Sequence, residues 1–136
     1  MNELLIPVDA ERLAALGVLN LAHVGDAVYE LLVRTALAES ASRSIRDQHR
    51  ATVAYVAAPA QATALEKLLP VLTEEERHVC RRGRNTRVRG VPAGCTIAQY
   101  HAATALEALF GWLWLRGDTA RVRALFSLIW EDDHAA

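Results

Sequence analysis

The sequence predicts an all-α domain. Apolar residues recur with helical spacing nearly throughout, and no stretch sustains the alternation of apolar and polar residues that marks a half-buried strand. Cap-forming residues also stand where most of the periodic segments begin. At 136 residues the chain is read as a single domain over 1–136, able to bury roughly two-thirds of the surface its unfolded form exposes. About seven helices are expected.

Taken in order, Asp9 caps a short first helix that stops near Gly17, and Asn20 caps a long second helix carrying Asp26. Ser44 with Asp47 forms a capping-box-like start for a third helix reaching about Ala57. Pro59 suits the first turn of the fourth, which closes before Pro70. Thr73 followed by Glu74, Glu75 and Glu76 is a capping box with acids at the favourable end of the dipole, and Arg81 and Arg82 fall near the opposite end, before Gly83. The span from Gly83 to Cys95 reads as the one long loop, a length that in compact domains is usually functional or disordered. Thr96 opens a sixth helix that carries Glu107 and ends near Gly117. Asp118 caps the last, which contains Val122, Leu125, Phe126 and Ile129.

Hydrophobic residues make up 52% of the chain, yet no uncharged apolar run reaches the ~18 residues a bilayer span requires. The N-terminus also lacks a basic-then-apolar secretion signal. A cytoplasmic protein without a membrane partner is expected. Cys80 and Cys95 have no CxxC or Cys/His ligand spacing, so neither a zinc site nor a disulfide framework is indicated.

The net charge of −1 hides a segregation. Residues 77 to 106 hold Arg77, Arg81, Arg82, Arg84, Arg87 and Arg89 and no acid, so this segment is +6 and the remainder −7. Of 15 basic residues only Lys67 is a lysine, which suits bidentate phosphate recognition and equally suits a GC-rich genome. A Gly-containing, acid-free loop with several arginines matches a phosphate backbone, and Asn85 adds a donor for phosphate, ribose or base edge. The competing structural reading is that Arg81 and Arg82 complement the helix dipole and pair with Glu74 to Glu76. That reading is strongest for Arg77 and weakest for Arg84, Arg87 and Arg89.

Against this background two acids stand apart. Glu107 is the only charged residue between Arg89 and Arg116, and Asp26 and Glu30 are the only charges from Leu13 to Val33. Stripping an ionised carboxylate of water without a partner costs several kcal/mol at least, so such groups are paired, protonated or bound to metal. Two apolar helices, each with an acid near its middle, are what a divalent cation between packed helices requires. Gly25 beside Asp26 allows the close approach such a site needs. The competing reading of Asp26 is a salt bridge from Arg34 or Arg116. Glu30, one turn on, is read as exposed or ion-paired, and Thr104 as an ordinary helix threonine or a partner for a metal-bound water. Phe110, Trp112, Trp114, Phe126 and Trp130 are read as core or dimer contacts; Trp112 and Trp114 point to different faces of one helix, which favours a homodimer.

The segment Leu21-Ala22-His23-Val24-Gly25-Asp26-Ala27-Val28-Tyr29-Glu30 resembles the signature helix of the ribonuclease III catalytic domain, and Thr104-Ala105-Leu106-Glu107-Ala108-Leu109-Phe110-Gly111 resembles its second acidic motif. With Arg81-Arg82-Gly83-Arg84-Asn85 and Tyr100, the likeness extends over about residues 10 to 130 and is to the Mini form, which lacks a double-stranded-RNA-binding domain. The resemblance implies a ribonuclease III-like helical bundle with Asp26 and Glu107 as catalytic, metal-binding acids. It implies Mg²⁺, with Mn²⁺ as a substitute. Arg81, Arg82, Arg84, Asn85, Arg87 and Arg89 are then the expected RNA-binding residues. It further implies a homodimer cutting double-stranded RNA to mature the large-subunit (23S) ribosomal RNA precursor, with a ribosomal protein as a further partner. The full-length family form carries a glutamate where Ala22 stands and an aspartate where Thr104 stands, so the number of metals per centre is left open. The alternative is a non-catalytic RNA-binding or ribosome-assembly module on the same fold.

Overall fold

The computed structural model describes residues 6–40, 44–87 and 90–133. They form seven α-helices: α1 (Ala10–Ala15), α2 (Val18–Ser40), α3 (Ile45–Val56), α4 (Ala58–Leu68), α5 (Glu74–Arg84), α6 (Ile97–Leu115) and α7 (Thr119–Asp133), with a 3-10 turn at Leu69–Val71. No strand occurs among the described residues, as the periodicity predicts.

Helix α6 is the axis of the bundle. Ala102 to Leu106, Ala108 to Gly111 and Leu113 are all buried, and a helix apolar on every face has to be enclosed by others. Helices α2, α4, α5 and α7 all pack on it. Tyr29 of α2 meets Phe110 of α6 and Phe126 of α7 edge to face, with ring centroids 5.3 and 5.8 Å apart, a geometry favoured by the ring quadrupoles. A second cluster of Leu13, Leu21, Ala22, Val79 and Ala108 fastens α1 over one end.

The α2–α6 contact is unusually close. A Cβ on Gly25 would overlap the Glu107 carbonyl oxygen, and one on Gly111 would overlap the Leu21 carbonyl oxygen. The two glycines thus let the helices touch backbone to backbone, and Gly25 rests on the turn that presents Glu107.

Capping follows the sequence at five helix starts: Asp9, Ser44, Thr73, Thr96 and Asp118 each accept from a backbone N–H three residues on. Thr73 with Glu76 and Thr96 with Gln99 complete reciprocal boxes. Gly117, at φ 81°, closes α6: its N–H reaches the Trp114 carbonyl, and the Asp118 N–H reaches that of Leu113, the Schellman arrangement that turns the chain into α7.

Two expected boundaries move. Asn20 is not the cap of α2, which begins at Val18; its N–H, like that of Leu21, bonds the Gly17 carbonyl from inside the first turn. Gly83 does not end α5. The helix runs on to Arg84 because a glycine there lets α5 lie on α6, where a Cβ would come within 2.6 Å of Ala105 Cα.

Glu76 is buried and pairs with Arg121 of α7, whose Nε and Nη2 donate to its two oxygens at 2.8 Å each. Burial alone would raise the Glu76 carboxyl, but bonds from Arg121 and the Thr73 backbone, with the Arg121 charge, hold it below its ordinary value. Cys80 and Cys95 are free thiols, and burial pushes the Cys80 thiol up to about 12. Among the described residues no helix is long and apolar enough to cross a membrane.

Candidate active site

Asp26 and Glu107 come from the two helices in closest contact. Asp26 is exposed on α2, whereas Glu107 is mostly withdrawn from solvent on α6. Burial pushes the Glu107 carboxyl up to about 8, aided by the facing charge of Asp26 and a hydrogen bond between the two side chains. Two acids facing each other in this way present a ready position for a cation, which would relieve their repulsion.

The competing partners of Asp26 are engaged elsewhere. Arg34 pairs with Glu30 at 2.9 Å along the exposed side of α2, which accounts for Glu30 as well. The Arg116 guanidinium lies 4.5 Å from the Trp112 ring centroid and 4.0 Å from Glu75. Among the described residues no third His, Cys, Asp or Glu joins the two acids to form a ligand group. The donor set fits a hard divalent cation such as Mg²⁺, which takes few protein carboxylates and keeps water in its remaining positions.

Glu107 faces a cavity of about 360 Å³ walled by the α3–α4 junction, the Pro92–Cys95 turn and α6. Thr104 also lines it, although its hydroxyl donates to the Tyr100 carbonyl at 3.1 Å in the manner of an ordinary helix threonine. Ala22 is buried against α1. Gln61 joins the site although no sequence motif marks it. This α4 side chain is 1% exposed, lines the same cavity and approaches Glu107 closely enough to favour its ionised form, yet its Nε2 has no partner of full hydrogen-bond geometry.

The arginines divide. Arg77 donates to the Leu72 and Leu69 carbonyls and Arg82 to the Leu16 carbonyl, so both serve to hold elements together. Neither Arg81 nor Arg82 pairs with the acids of the α5 start among the described residues; Glu76 belongs to Arg121 and Glu75 approaches Arg116. Arg81, Arg84, Asn85 and Arg87 are exposed, and Arg84 borders a second hollow on α4 and α6 with Glu66, Gln99 and His101. Arg89 lies outside the described residues.

A ribonuclease III domain profile matches residues 19–118 of the chain. Mini-ribonuclease 3 of Symbiobacterium thermophilum is 46% identical over 104 residues, covering 76% of this chain and 80% of that protein. Mini-ribonuclease 3 of Synechocystis sp. is 42% identical over 123 residues, covering 90% and 84%. The solved structure of a protein from Fusobacterium nucleatum superposes with a TM-score of 0.79 at 27% identity, covering 88% of this chain and 95% of that one.

Proposed function

The chain belongs to the ribonuclease III family, in its Mini-ribonuclease III branch, and is an endoribonuclease; from that premise we propose a Mg²⁺-dependent enzyme that cuts double-stranded RNA with Asp26 and Glu107. The observation that carries this reading is the facing acid pair on α2 and α6, set by the Gly25 and Gly111 backbone contact. A bound divalent cation would neutralise charge on the scissile phosphate and activate the attacking water. Asp26, exposed, offers its carboxylate from the solvent side; Glu107 offers its own from the cavity wall. Holding these two oxygens in register is the work of the α2–α6 contact, and neither acid has to accept the proton of the attacking water itself.

Arg81, Arg84, Asn85, Arg87 and Arg89 serve as backbone contacts to the duplex, which is read mainly by shape and phosphate. Arg82, turned inward to Leu16, contributes less. The active form is a homodimer with two such centres, one per strand. An apolar groove supports this: α2 presents His23, Val24, Ala27 and Leu31 beside Trp114 and Val122, and Leu31 is 60% exposed in the single chain. The cellular substrate is the 23S ribosomal RNA precursor, matured in the cytoplasm, with a ribosomal protein presenting it.

Cleavage of an end-labelled RNA duplex with Mg²⁺ tests the reading beside a chelated sample and the Asp26→Asn and Glu107→Gln variants. Metal-dependent cutting lost in both variants, with duplex binding kept, is the expected result. Wild-type cleavage by Asp26→Asn would remove that residue from the mechanism, and binding without cutting under every condition would leave an RNA-binding module on a nuclease fold.

A further inference from the structure

The buried stripe of α4 runs Gln61, Ala64, Leu65, Leu68, at i, i+3, i+4 and i+7. Three of the four are apolar, and the fourth is an amide among the most deeply enclosed side chains of the protein. Enclosing an amide donor without a full partner destabilises a fold, whereas a leucine of similar size would complete the stripe at no such cost. The amide is therefore unexplained by packing. Its surroundings give it an object: the cavity it lines holds one carboxylate, that of Glu107, and the two side chains are close enough to interact. The α4 backbone fixes the amide from one side while Gly25 fixes the Glu107 turn from the other.

We propose that Gln61 is a positioning residue, whose side-chain N–H steers the Glu107 carboxylate toward the place it shares with Asp26 and so prepares the pair to take a divalent cation. The inference rests on the assignment of Asp26 and Glu107 as the metal-holding pair. Partners behind a ligating carboxylate fix its orientation, and their loss typically lowers metal affinity 10- to 100-fold. Gln61 touches neither substrate nor metal in this role, which asks of its amide only that it donate to the Glu107 carboxylate.

The test uses the purified full chain without RNA, with Mn²⁺ as the probe in isothermal titration calorimetry, on wild type, Gln61→Leu, Gln61→Met and Asp26→Asn. Thermal melts in chelator are run on the same samples. Gln61→Leu or Gln61→Met is expected to melt at or above the wild-type temperature while binding Mn²⁺ at least about 10-fold more weakly, and duplex cleavage should recover as Mn²⁺ is raised. A structural role would produce the opposite pattern. If both variants melt well below wild type in chelator, Gln61 is a packing residue and the proposal falls. If a variant with wild-type melting binds Mn²⁺ within about twofold of wild type while Asp26→Asn does not, the steering role is overturned and the acid pair stands. Unchanged Mn²⁺ binding in Asp26→Asn as well would overturn the pair, and the role of Gln61 with it.

Discussion

Glu107 should cost the metal-free protein stability, and Glu107→Gln should recover it. The carboxyl is pushed from its ordinary value of 4.5 up to about 8 by burial and by Asp26. A raised carboxyl value means that the native state holds a proton that the unfolded chain has released, so stability falls as pH rises between these two values. pH 7 lies 2.5 units above the ordinary value of 4.5 that the unfolded group keeps, while the native group is still largely protonated. At about 1.36 kcal/mol per unit this gives a ceiling of about 3 kcal/mol. Residual solvent access to Glu107, together with burial of the new amide, reduces the expected gain to about 1–2 kcal/mol, a rise of roughly 4–8 °C in Tm for a domain of this size. Thermal melts in chelator from pH 4 to pH 8 measure it. The gap between variant and wild type should be near zero below pH 4.5 and widen to its full size near pH 8. Divalent cation should then stabilise the wild type by mass action, by about 2.7 kcal/mol at a hundredfold excess over Kd, and close or reverse the gap. A Glu107→Gln variant that melts at or below wild type in chelator at pH 8, or a gap indifferent to pH, would refute the reasoning.

Other perturbations have equally definite outcomes. Gly25→Ala drives a methyl into the Glu107 carbonyl and should destabilise by about 3 kcal/mol or more, above the usual overpacking range because backbone cannot rotate away; Gly90→Ala, with open space around it, should leave the circular-dichroism melt unchanged. Arg121→Ala strands buried Glu76 without its partner and should cost about 3–5 kcal/mol in urea unfolding. The depressed Glu76 carboxyl contributes stability above its ordinary value of 4.5 that is lost as pH falls through its lower native value, so the stability difference between wild type and a Glu76→Gln variant should shrink on acidification below that point. For RNA binding, removing charge at Arg84, Arg87 and Arg89 should flatten the fall of log K with log salt by up to roughly 0.9 per lost phosphate contact on a B-DNA scale. An unchanged slope in filter binding would assign these residues to structure.

What the sequence discloses depends on how local the cause is. The caps at Asp9, Ser44, Thr73, Thr96 and Asp118 act within a single turn, so residue identity three positions apart suffices to find them. Gly83 misleads because its reason lies elsewhere in the chain: propensity makes a glycine a helix end, but contact with Ala105 keeps it inside α5. Glu107 stands out in the sequence by its isolation in an apolar segment, because loss of solvation forces a carboxylate in such a setting to be paired, protonated or bound; Asp26 is isolated in the same way, yet it lies exposed on α2, so the desolvation argument does not extend to it. Gln61 escapes notice between two alanines, although the register 61, 64, 65, 68 already sets it on the stripe that must be buried.

The same contact decides both fold and site. Glycines at 25 and 111 bring α2 onto the backbone of α6, and that approach places Asp26 opposite Glu107. Under the proposed role of the acid pair, stability and activity coincide at Gly25, where any side chain should damage both, and oppose at Glu107, where the neutral variant should gain stability and lose the cation. Gln61, on the wall of the same cavity, discriminates between them. If Gln61 exists for packing, its replacement by leucine costs stability; if it exists for Glu107, the same replacement preserves stability and weakens metal binding, so a single variant read by two measurements separates the use of the site from the maintenance of the fold.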